Sequence, residues 1–208
     1  HLDRLYEGAK AIDMDVGLSR AELTQRLLDC LTANEMRDGV HIRLTLTRGE
    51  KITSGMDPRL NRSGPTLIVL AEYKAPVYET SGLSLVTSSI RRFPPDCLDP
   101  KIHHCNLIQS ILAKIEAIAA GADDALMLDL EGFLSETNAT NVFLVRKGVL
   151  LTPETTSCLP GITRATVIAL AREHARRFPN GTLAQEREVI IIDALSRLGR
   201  EGEAKGRA

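Results

Sequence analysis

Between His104 and Ala120 the residues Leu107, Ile108, Ile111, Leu112 and Ile115 recur at helical spacing, and the pattern stops at Gly121. A helix with one apolar stripe must bury that stripe against another element. Strand candidates stand on both sides of it, Leu83 to Ile90 before and Ala125 to Leu128 after. This order of strand, helix and strand, without an internal repeat, points to an α/β or mixed α+β fold of the kind enzymes use.

The rest of the chain keeps to that mixture. Leu23, Leu27, Leu28 and Leu31 share one face of a helix expected over Arg20 to Asn34, with Ser19 ahead of it as the N-cap. Val40 to Thr47 alternates as a half-buried strand does, and Thr66 to Leu70 is a second strand candidate. Gly49, Gly55, Pro58, Gly64 and Pro65 mark a long loop between them. Periodicity is lost from Ala71 to Gly82, which predicts a linker at 73–82 dividing a first domain, 1–72, from a second, 83–208. In the second, Arg91 to Pro100 is a proline-rich loop, Asn141 to Arg146 and Gly148 to Leu151 are strand candidates, and a helix is expected over Ile162 to Arg177.

Charge and composition remove several classes of function. Lys plus Arg number 26 against 27 Asp plus Glu, with no dense basic run, so the chain lacks the footprint that neutralises nucleic-acid phosphates. There is no Trp, and three Tyr and four Phe are too few for base-stacking platforms. No apolar run reaches the roughly 20 residues that span a bilayer, so no membrane role is expected. Cys30, Cys97, Cys105 and Cys158 form no CxxC pair, and reduced thiols in a cytoplasmic protein are the plain reading.

Three segments can carry chemistry. Leu159-Pro160-Gly161-Ile162-Thr163-Arg164 opens a helix with free N–H groups at Ile162 and Thr163, an arrangement that binds phosphate but more often is just a turn. Leu134-Ser135-Glu136-Thr137-Asn138-Ala139-Thr140-Asn141-Val142-Phe143 sets a carboxylate among small polar residues between two strand candidates. It reads either as a solvated hairpin or as a buried charge meant for a cationic partner. Leu98-Asp99-Pro100-Lys101-Ile102-His103-His104-Cys105-Asn106, with Cys97, offers a weak zinc pattern, or a lysine that a pocket could make reactive.

Taken together and in order, His-Leu-Asp-Arg-Leu at 1–5, the Lys101 region leading into Asn-Leu-Ile-Gln-Ser-Ile-Leu-Ala-Lys-Ile-Glu-Ala at 106–117, Ser-Glu-Thr-Asn-Ala-Thr-Asn-Val-Phe at 135–143 and Leu-Pro-Gly-Ile-Thr-Arg at 159–164 resemble the class IV, fold-type IV pyridoxal-phosphate aminotransferases. The resemblance is nearest to the branched-chain members. It implies a small N-terminal α/β domain and a larger, barrel-like, cofactor-binding C-terminal domain, usually in a homodimer. By the same resemblance Lys101 would carry pyridoxal 5'-phosphate covalently and then move the substrate's proton. Glu136 would pair with the pyridine nitrogen, Leu159 would pack on the ring, and Arg4, Gly161, Ile162 and Thr163 would hold the phosphate. Arg43 would meet the substrate carboxylate. The implied activity is transamination of branched-chain L-amino acids with 2-oxoglutarate. An aminodeoxychorismate lyase, a D-amino-acid or (R)-amine transaminase, and a degenerate or truncated cofactor-binding module are the alternatives.

The chain departs from the family pattern in three respects. Lys101 stands five residues before Asn106 where many members have three or four, and a gapless count puts His103 in the lysine's place. Leu107 follows that Asn where many members have Tyr. The strand-rich segment that usually precedes the first motif and the Gly-Thr-Ala-like turn that usually follows the last helix are both missing, so the chain is expected to be truncated at both ends.

Overall fold

The computed structural model describes residues 1–75, 82–146 and 149–177. The chain divides into two compact units, residues 1–81 and 82–208. The middle of the expected linker, 76–81, and the end of the expected second domain, 178–208, lie outside the described residues.

The first unit has two helices and a two-stranded antiparallel sheet. Helix α1 (Leu2–Ala11), for which no element is expected above, sets Leu2, Leu5, Tyr6 and Ala9 at helical spacing into the unit's core. Helix α2 (Arg20–Ala33) begins where the sequence puts it, because Ser19 and Glu22 form a reciprocal capping box that satisfies two orphan N–H groups. Strand β1 (Val40–Thr47) pairs with β2 (Thr66–Tyr73), and Val40 opposite Tyr73 keeps β2 in register three residues beyond the expected Leu70. Leu44, Leu46 and Leu67 turn inward onto a core of Ala9, Val16 and Leu23.

The second unit is built on a three-stranded sheet. Strand β3 (Leu85–Arg91) lies parallel to β4 (Asp124–Leu128), and β4 pairs antiparallel with β5 (Leu134–Thr137). A short helix α3 (Pro95–Leu98) starts at a proline inside the expected loop, where a missing N–H costs nothing. Helix α4 (Ile108–Ala119) makes the crossover that a parallel pair requires. It starts later than His104 because the Asn106 N–H donates to His104 Nδ1 and the Leu107 N–H to the Cys105 carbonyl, turns that precede the first helical bond. It ends at Gly121, whose φ of 71° is the left-handed conformation a helix stop favours. Small residues let helix and sheet approach closely: Ala113 and Ala117 meet Ala125 and Met127, with Val86 and Ile90 packed around them.

A hairpin of β6 (Leu144–Arg146) and β7 (Val149–Leu151) and the helix α5 (Ile162–Arg177) complete the described part. Asn141 to Phe143, expected as strand, precede β6 instead. The polar run at 134–137, expected between strands, is itself strand β5.

Candidate functional site

The polar run folds as a strand because each of its polar groups finds a partner when buried. The Ser135 hydroxyl donates to the Ser157 carbonyl at 2.9 Å. The Thr137 N–H bonds the Thr140 carbonyl at 2.9 Å. Asn138 exchanges bonds with Ala125, accepting its N–H on Oδ1 at 3.0 Å and donating its own N–H to the Ala125 carbonyl at 3.0 Å. The carboxylate of Glu136 is thereby held against the sheet, with the residue only 7% exposed.

Arg92, just past β3, lies with a terminal guanidinium nitrogen 2.8 Å from Glu136 Oε1 and its side chain 13% exposed. The same nitrogen donates to the Thr137 carbonyl at 2.8 Å, and the other terminal nitrogen to Ser110 Oγ at 3.3 Å. Its Nε is buried with no partner among the described residues. Asn141 Nδ2 donates to Glu136 Oε2 at 3.3 Å and lies 3.2 Å from the Leu159 carbonyl, while the Leu159 N–H also serves the carboxylate. Burial nevertheless outweighs Arg92 and the Leu159 N–H, and lifts the Glu136 carboxyl to about 7.

Glu136 and Leu159 line a cavity of about 140 Å³, together with Arg92, Phe93, His103, His104 and Ser110. The site therefore brings together two of the residues expected from sequence and adds Arg92, His103 and Ser110. Lys101 is not among the described residues lining it. Its side chain is 55% exposed, with Nζ 3.9 Å from Asp99 Oδ2.

Gly161, Ile162 and Thr163 form the start of α5, next in the chain to Leu159, and the Gly161 carbonyl accepts the Ala165 N–H as the helix opens. The Ile162 and Thr163 N–H groups have no intrahelical acceptor at such a start. Gly161 has a further reason to be glycine: a Cβ there would stand 1.7 Å from Asn141 Oδ1. Arg4 and Arg43 belong to the first unit. Arg4 sits half-buried on α1, where burial pulls its guanidinium below its ordinary value, and Arg43 is exposed on β1 opposite Leu70. Buried Arg164 ties α5 back to Thr152 and Pro153 at 3.1 and 2.9 Å.

The donor set suits a phosphorylated pyridine. A buried carboxylate that titrates near neutrality is a partner for a ring N–H, and the N-terminus of α5 follows Leu159, which lines the same cavity as that carboxylate. Among the described residues no three His, Cys, Asp or Glu side chains gather as a metal would need, so the zinc reading of residues 97–105 has no geometry behind it. Sequence reasoning assigns no role to Arg92 or Asn141. The available signal is an arginine directly after a strand, and a second asparagine two residues before a phenylalanine in a segment already singled out for its carboxylate.

A family model described as amino-transferase class IV matches residues 1–199. Branched-chain-amino-acid aminotransferase-like protein 1 of Arabidopsis thaliana is 56% identical over 171 residues, covering 82% of this chain and 31% of that protein. The branched-chain-amino-acid aminotransferase of Pseudomonas aeruginosa is 32% identical over 208 residues, covering 93% of this chain and 63% of that protein. The chain thus spans less than two thirds of the length of either relative. Among solved structures, the branched-chain amino acid aminotransferase from Thermobaculum terrenum in its PLP-form superposes with a TM-score of 0.74 at 26% identity, over 99% of this chain and 80% of that one.

Proposed function

The chain belongs to the class IV aminotransferases, and on that footing we propose that its protein transfers the amino group of branched-chain L-amino acids to 2-oxoglutarate with pyridoxal 5'-phosphate. The observation that carries this reading is Glu136, a buried carboxylate that lines a cavity and has a proton affinity near neutrality. Bound there, the cofactor supplies an electron sink for the substrate's α-carbon. Glu136 would keep a proton on the ring nitrogen, Arg92 and Asn141 would hold the carboxylate in place, and Leu159 would lie against the ring. Gly161, Ile162, Thr163 and Arg4 would receive the phosphate, and Arg43 the substrate carboxylate. Lys101 is the amine that the family resemblance assigns. A homodimer is supported by the exposed apolar row Ile108, Ile111, Ile115 and Ile118 on α4. A cytoplasmic setting is supported by four unpaired cysteines. No helix of the described residues is long and apolar enough to cross a membrane.

One observation favours a second reading, a cofactor-binding module without turnover: the exposed Lys101 is absent from the described lining of the cavity. Incubating the full-length protein with L-leucine, 2-oxoglutarate and pyridoxal 5'-phosphate separates the two. Glutamate formed only when the cofactor is present supports the transaminase. Cofactor binding without glutamate, from any branched-chain donor, supports the module.

A further inference from the structure

Two independent observations bear on how the cavity keeps its cofactor. The first is the course of the loop between α3 and α4. Asp99 Oδ1 accepts the Lys101 N–H at 2.9 Å and the Asp99 carbonyl accepts the Ile102 N–H at 3.1 Å. These bonds fold the loop so that Pro100, Ile102, His103 and His104 contribute to the cavity wall while Lys101 is passed over and its ammonium lies beside Asp99. The second is sequence position: without a gap, the residue that takes the place of the family's lysine is His103. The gapless count and the cavity wall select the same residue.

We propose that this site takes the pyridoxal- or pyridoxamine-type cofactor as a dissociable ligand, with His103 standing where a tethering amine would be and no covalent bond to Lys101. A primary amine can add to an aldehyde and lose water, giving a stable C=N bond because its nitrogen carries two removable hydrogens. An imidazole nitrogen has at most one and stops at reversible addition. Retention then rests on noncovalent partners: the Glu136 carboxylate, the Leu159 contact and the α5 N-terminus. The aldehyde and amine forms of the cofactor share those partners, so their affinities are comparable, whereas a tethering site favours the aldehyde strongly. This inference deepens the second reading above, a cofactor-binding module without turnover, and depends on the cavity receiving such a cofactor.

The test uses the full-length protein and reads binding and attachment separately. Equilibrium dialysis measures pyridoxal 5'-phosphate and pyridoxamine 5'-phosphate; borohydride reduction followed by intact mass and peptide mapping measures attachment. The expected result is comparable retention of both forms, removal by gel filtration, and no pyridoxyl increment on the wild-type chain. His103→Lys should then gain a visible absorption band and a borohydride-fixed increment at residue 103. An increment at Lys101 of the wild type overturns the proposal and leaves the cofactor reading standing. If neither form is retained by the wild type, the cofactor reading fails and the proposal with it. His103→Lys that binds the aldehyde without an increment refutes the assignment of the tether position. If that variant does not fold, the wild-type map alone decides between Lys101 and no attachment.

Discussion

Replacing Gly161 with Ala tests whether Asn141 is the clasp of the site. The new Cβ would lie 1.7 Å from Asn141 Oδ1 and 2.9 Å from its Cγ, distances no side chain tolerates, so Asn141 must move. Its Nδ2 bridges the Glu136 carboxylate and the Leu159 carbonyl, and both bonds go with it. A hydrogen bond to a charged group is worth about 1.5–3 kcal/mol, and overpacking adds about 1–3 kcal/mol. Because the displaced asparagine can reach solvent, about 3 kcal/mol is the expected loss of stability for Gly161→Ala. The decisive comparison is the same substitution in an Asn141→Ala background. There the clashing atoms are gone, the next neighbour is Arg164 Cβ at an ordinary 3.6 Å, and the added methyl should cost less than about 0.5 kcal/mol. A double-mutant cycle by urea unfolding, followed by circular dichroism because the chain has no Trp, should therefore return a coupling of about 2 kcal/mol or more. Equal losses in the two backgrounds would refute the clasp.

Three further outcomes follow from the same region and from α2. Below pH 4.5 Glu136 is protonated folded and unfolded, and between there and about 7 only the folded chain keeps the proton. Its contribution to the cofactor-free stability should therefore fall by about 3 kcal/mol as pH rises through that window and level off above it, and Glu136→Gln should flatten the profile in chemical denaturation. Burial, with Glu136 nearby, pushes the Cys158 thiol up to about 12, so iodoacetamide at mildly alkaline pH should alkylate exposed Cys97 and Cys105 in the native protein and spare Cys158; peptide mapping with Cys158 labelled first would contradict this. Ser19→Ala removes the α2 cap and should cost about 1 kcal/mol, while Ser19→Asp should cost much less; urea midpoints check both.

The long, strongly periodic elements can be read from sequence, and the site's wiring cannot. α2, β1 and α5 lie where side-chain spacing puts them, because caps and alternation are local signals. β5 escapes such a reading because strand propensity says little about Ser-Glu-Thr, whose burial depends on acceptors as remote in sequence as Ser157. Glu136 can be singled out as a residue, but its pairing with Arg92 joins distant positions, and nothing local encodes that contact. Lys101 shows the reverse case. Spacing and residue type recommend it, while an Asx-type turn on Asp99 decides which residues of its loop meet the cavity.

Helix α4 seals the core through Ala113 and Ala117, and one turn earlier lends Ser110 and Gln109 to the cavity wall. Core and site are thus borne by one rigid rod, and the sheet sets its distance. A larger residue at Ala113 would lift the rod from β3 and β4 and carry the Ser110 support away from Arg92. In a lineage of such chains, core volume and ligand affinity cannot drift independently, so substitutions that look like neutral packing changes would be screened by the binding site as well as by stability.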